Sequence, residues 1–138
     1  MTSNKKPDKW EEMILDLLNS SAAIWMKEEK TPAARGVFTY QHNLSVSKMA
    51  YELSSVFCAD SRICARAGFL HDCAMEEYSV SIFSKIYANI FHYIKAAEIA
   101  HNLGEPPAVI YAIKTHMFPL FALPPLNKEA FTVWLARC

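Results

Sequence analysis

The longest apolar runs in this chain are short or broken by proline, as in FPLFALPPL (118–126). A membrane-spanning helix needs roughly 20 apolar residues, so no span is expected. The N-terminal MTSNKKPDKW is polar and has no apolar core of the kind a secretory signal requires, which makes the cytoplasm the expected compartment. Charge of one sign is also missing. The 14 basic side chains balance 14 acidic ones, which leaves out the basic footprint of a nucleic-acid polymer binder. Net neutrality says little about a single cleft, so a local phosphate pocket stays open. The four cysteines (Cys58, Cys64, Cys73 and Cys138) show no CxxC spacing and read as free thiols, partly core filler. Glycine is scarce, at three residues, and there is no internal repeat, low-complexity tract or β-type alternation.

What is present is helical. At 138 residues and 52% apolar composition, one domain can bury a core without disulfide or metal staples. PDKWEEMILDLLNSSAAIWM reads as a helix that starts at Asp8, with Glu11 three residues on in a capping-box arrangement. Ile14, Leu17 and Leu18 fall on one face of it. Trp10 and Trp25 read as its anchors. TPAARGVFTYQ reads as a connection, because Pro32 and Gly36 interrupt it. HNLSVSKMAYELSSVF places Val46, Met49, Ala50 and Leu53 at helical spacing. DSRICARAGFLHD starts at Asp60, buries Ile63, Ala67 and Leu70, and delivers His71 and Asp72 at its C-terminal end.

SVSIFSKIYANIFHYIKAAEIAHNLG reads as two helical pieces, stopped by Gly104. EPPAVIYAIKTHM is a short helix with its prolines in the first turn, where a missing amide does least harm. FPLFALPP reads as a rigid loop and NKEAFTVWLARC as a final helix. The expected class is all-α, a compact bundle of about five to seven helices.

A lone histidine in an apolar helix is more often a packed core residue than a ligand. Placement raises the odds here. His42 opens one helix, His71 and Asp72 close the next, His92 starts another and His116 ends a fourth. Helix ends can converge on one pocket while the helix bodies form the core. Imidazole and carboxylate together suit Mn, Fe, Ni, Co or Zn. His101 lies nine residues after His92, and at about 100° per residue the two occupy opposite faces of one helix. His101 is therefore set aside.

In that order, QHNLSV (41–46), AGFLHDCA (67–74), HYIKAAEIA (92–100) and IKTHMFPL (113–120) resemble the HD-domain superfamily of metal-dependent phosphohydrolases. More narrowly they resemble its small stand-alone proteins of the Firmicutes type, and PPLNKEAFTVWLA (124–136) is similar to their final helix. The resemblance covers roughly residues 36 to 138, with 1–35 as an N-terminal helical region of the same single domain. It implies one or two divalent ions. His42, His71 and Asp72 would hold one, and Asp72, His92 and His116 a second, with Asp72 bridging. It further implies that His71 and Asp72 act at the catalytic centre, on a small phosphorylated metabolite or nucleotide. Lys95, Lys114 and Lys128 are weak candidates for the phosphate, since a solvated surface lysine is the commoner case.

Two positions depart from the pattern. The family's final helix carries an aspartate ligand where VWLARC places Arg137, and Ala88 stands where relatives often have a further histidine. A cation in a metal's ligand shell would repel the ion, since even two unit charges 4 Å apart at an effective dielectric of 20 interact by about 4 kcal/mol. Three readings therefore stand. The first is a working phosphohydrolase with fewer protein ligands. The second is a degenerate HD domain that binds a ligand or protein partner without turnover. The third is a di-iron oxygenase, which some relatives of the fold suggest.

Overall fold

The structure, a computed structural model, describes residues 8–28, 39–73, 93–119 and 124–137. Among these residues the regular elements are all helices: α1 (Lys9–Leu18), α2 (Ser21–Glu28), α3 (Thr39–Ser54), α4 (Ser61–Leu70), α5 (93–102), α6 (Pro107–Thr115) and α7 (Lys128–Arg137). The all-α expectation holds. The proposed helix before His92, Ala88, His92 itself and residues 120–123 of the proline-rich loop lie outside the described residues.

The single N-terminal helix read from sequence is two. The capping box at its start is present, with the Asp8 amide donating to Glu11 Oε1 at 3.4 Å. The break comes at Asn19–Ser20. Asn19 Nδ2 turns back to Leu15 O at 3.2 Å, and Ser20 Oγ accepts from the Ala23 amide at 3.3 Å, which starts α2. Short polar side chains that bond their own backbone compete with helix continuation in this way.

At the centre lies α4, in which every residue from Cys64 to Leu70 is buried. Its start is set by Asp60, whose carboxylate accepts from the Arg62 and Ile63 amides at 3.0 and 3.1 Å. Helices α1, α3, α6 and α7 pack around it. Cys64 and Cys73 belong to this interior, so Cys73 is fully buried and not half-exposed as a reactive thiol would be. Burial, helped by Glu129 at Cys64 and by Asp72 at Cys73, pushes both thiols up to about 12.

Helix α3 begins and ends three residues earlier than its sequence pattern suggested. Its buried stripe is Asn43, Val46, Ser47, Ala50 and Ser54. At about 100° per residue these positions share one face, and Met49 falls about 120° away from it. Met49 is accordingly 46% exposed, not core. Hydrophobicity misplaces the face because three of its five residues are polar.

Those small polar residues allow α3 and α4 to come very close. A Cβ on Gly68 would lie 2.9 Å from Ser47 Cα and 3.2 Å from Val46 O, so only glycine fits. Ser47 Oγ donates to Ala65 O at 2.7 Å and accepts from Trp10 Nε1 at 2.8 Å, which ties α1 to the same contact. The two helices run antiparallel. One turn back along α3 from the contact is His42, and one turn forward along α4 is His71, so both histidines arrive at the same end of the bundle.

Helix α5 stops at Gly104, as read from sequence, with φ +84° and the Glu105 amide donating to Ala100 O at 3.1 Å. Helix α6 starts on Pro106 and Pro107, also as read, and Tyr111 Oη donates to Pro124 O at 3.1 Å to fix the approach to α7.

Candidate metal centre

Two helix C-termini build the site with the same local device. His71 follows α4 and His116 follows α6, each still in helical conformation. Each ring folds back on its own helix. His71 Nδ1 lies 2.6 Å from Gly68 O, and His116 Nδ1 lies 2.5 Å from Ile113 O. A carbonyl can only accept, so Nδ1 carries the proton in both rings and Nε2 keeps its lone pair. This is how metal-binding histidines are usually oriented.

The lone pairs converge on one carboxylate. Asp72 Oδ2 is 3.3 Å from His71 Nε2 and 3.7 Å from His42 Nε2, while Oδ1 is 3.8 Å from His116 Nε2. The two oxygens thus face two different sets of imidazoles. The His71 ring centroid lies 5.4 Å from that of His42 and 5.0 Å from that of His116. His42, His71 and Asp72 each offer a ligand atom, all within 4.8 Å of one another. Two atoms each about 2.1 Å from a common ion are about 3.0–4.2 Å apart at angles of 90–180°. The 3.3 and 3.7 Å separations fall in that window, so the residues present fit a divalent ion.

Burial grades across the cluster. The side chains of His71 and His116 are 1% exposed, Asp72 is 21% exposed and His42 46%. His71 and His116 form a dry floor, and His42 stands at the rim. Burial lowers the pKa of His116 below the ordinary histidine value, with Asp72 opposing. Burial and then the neighbouring His71 lower that of His42, again against Asp72. Both shifts favour the neutral ring that coordination requires.

His42, His71, Asp72 and His116 are thus together, and His92 lies outside the described residues. Lys95, Lys114 and Lys128 are exposed. Lys114 precedes His116 by two residues, about 200° around α6, and so points away from the cluster.

Arg137 is half-buried, and its guanidinium is turned to backbone carbonyls. Its Nε donates to His116 O at 2.5 Å and its Nη2 to Phe118 O at 3.3 Å. Phe118 O also accepts from Trp134 Nε1 at 2.8 Å. The sequence reading missed this role, because only the departure at Arg137 was visible and not its partners.

The sequence matches the HD domain over residues 39–136, and the chain belongs to that family. Two solved structures share its fold, both of the HD domain of the L. monocytogenes phosphodiesterase PgpH. One matches with a TM-score of 0.58 at 14% identity, covering 95% of this chain and 71% of that one. The other, in complex with cyclic-di-AMP, matches with a TM-score of 0.59 at 14% identity, covering 96% and 72%. No curated protein matches the sequence. Among the described residues, no helix is long and apolar enough to cross a membrane.

Proposed function

We propose that this protein is a metal-dependent phosphohydrolase acting in the cytoplasm on a small phosphorylated metabolite or nucleotide. The observation that carries the reading is the divided carboxylate of Asp72, with Oδ2 toward His42 and His71 and Oδ1 toward His116. His42, His71 and Asp72 would hold one ion. Asp72 and His116, with His92, would hold a second. A bound divalent ion polarises a phosphate oxygen and lowers the pKa of its water from about 16 towards 7.

The chain's own part is orientation. The carbonyls of Gly68 and Ile113 hold His71 and His116 in the tautomer that presents Nε2. The buried floor excludes water behind the reacting group, and the His42 rim leaves an open side for substrate. Lys95, near the start of α5, is a secondary candidate for phosphate contact, whereas Lys114 points away from the cluster and Lys128 lies at the far end of α7, beside Glu129 and Asp60. The cyclic-di-AMP complex of the PgpH HD domain puts cyclic dinucleotides first among the substrates to try.

The test is hydrolysis of a panel of cyclic dinucleotides, nucleotides and sugar phosphates with Mn, Co, Ni, Fe or Zn supplied. Product that depends on metal and vanishes in Asp72→Ala supports the reading. A panel with no turnover counts against it. Arg137 favours a second reading, a binding module without catalysis, because its guanidinium stands where relatives have an acidic ligand. That reading expects ligand-induced thermal stabilisation and no product.

A further inference from the structure

We propose that Arg137 is a positioning residue for His116, which rests on the metal-site reading above. The carbonyls that end a helix lack intrahelical donors. At the end of α6 one of them, on the C-cap His116, receives the Nε of Arg137, and its Nη2 donates to Phe118 O in the turn that follows. Trp134, three residues earlier and so on the same face of α7, donates to Phe118 O as well. A cation at a helix C-terminus is also favoured by the helix dipole.

His116 is therefore held twice. Ile113 O fixes its ring and Arg137 fixes its backbone, and together they aim Nε2 at Asp72 Oδ1. The final helix supplies a brace at the position where the family pattern supplies a ligand. The planar fork of arginine reaches two carbonyls at once, which a lysine ammonium does less well. An aspartate here would set a carboxylate against two carbonyl oxygens.

The ring signals of His116 in nitrogen-15 NMR spectra of the metal-free protein test the brace directly. Arg137→Ala is expected to lose the resolved His116 Nδ1–H signal, and Arg137→Lys to keep it. Glu129→Ala loosens the other end of α7 by removing the acceptor of the Asp60 amide, and it is expected to leave the signal in place. Cobalt titration is the second readout. Loss of an outer partner of a ligand typically lowers affinity by about 10–100-fold, and that range is expected for Arg137→Ala and Arg137→Asp. An unchanged His116 signal in Arg137→Ala, its equal loss in Glu129→Ala, or tighter cobalt binding in Arg137→Asp would overturn the proposal. If the parent protein binds no cobalt, the metal-site reading fails, and the His116 signal still decides the brace.

Discussion

Two polar clusters sit inside this apolar bundle, and they are built differently. Around Arg66, on the buried side of α4, all five guanidinium N–H groups are used. They go to both oxygens of Glu105, both oxygens of Asp16 and the carbonyl of Met13, at 2.7–2.9 Å. One turn and a cap further along the same helix, Asp72 faces three imidazole nitrogens at 3.3–3.8 Å. The first set of distances is that of hydrogen bonds. The second is longer and matches atoms that share an ion. The Arg66 cluster satisfies every guanidinium N–H and locks α1 and the turn after α5 onto α4. The Asp72 cluster spends its geometry on Nε2 lone pairs facing a carboxylate, a pattern that gains its stabilisation when a cation is present.

The sharpest way to break this comparison is to remove the centre of each cluster. Arg66→Leu leaves the buried Glu105 carboxylate without its donors. Breaking a buried pair in this way costs about 3–5 kcal/mol, to be read by urea denaturation. Asp72→Asn is expected to change apo stability by less than about 1 kcal/mol, because it relieves a site built for something else. Equal losses at the two positions would erase the distinction.

Gly68→Ala has the next largest effect. The added methyl meets the backbone of α3, not a flexible side chain, so the clash outweighs the gain in helix propensity. A loss of about 1–3 kcal/mol is expected in denaturation, together with weaker metal binding, because the same contact aligns His42 with His71.

Acid should separate the clusters by pH. His42 and His116 have lowered pKa values, so the unfolded chain takes up protons first. Stability of the metal-free protein should therefore fall as pH drops below about 6.5, and metal affinity should fall with it. Asp16 has the same sign in a lower pH window. Its hydrogen bond to Arg66 holds its carboxyl below the ordinary aspartate value of 3.8, so its contribution persists until the pH falls below that value. Urea midpoints collected from pH 8 to 3 would show two steps if both arguments hold, and one if either fails.

Much of this was legible in local sequence. Asp8, Asp60 and the prolines before α6 mark helix starts, Gly104 marks a stop, and the spacing of His71, Asp72 and His116 places them at helix ends. Each of those signals acts within a few residues. What escaped depends on distance along the chain or on unusual chemistry at a buried face. Arg66 finds its partners 39 and 50 residues away, and nothing beside it announces them. The α3 face is hidden because Asn43, Ser47 and Ser54 carry it. Asn19 and Ser20 look like ordinary helix interior until their side chains turn back on the backbone. Arg137 reads as a lost ligand until its two carbonyl partners are seen.

On the proposed function, His42, His71 and Asp72 hold a metal ion. The most direct measurement is elemental analysis and calorimetric titration of protein prepared without a polyhistidine tag, beside Asp72→Ala. Near-stoichiometric metal in the parent, lost in the variant while the fold is retained, is the predicted result. Failure of the parent to retain Mn, Fe, Co, Ni or Zn after incubation, or equal binding by the variant, would contradict it.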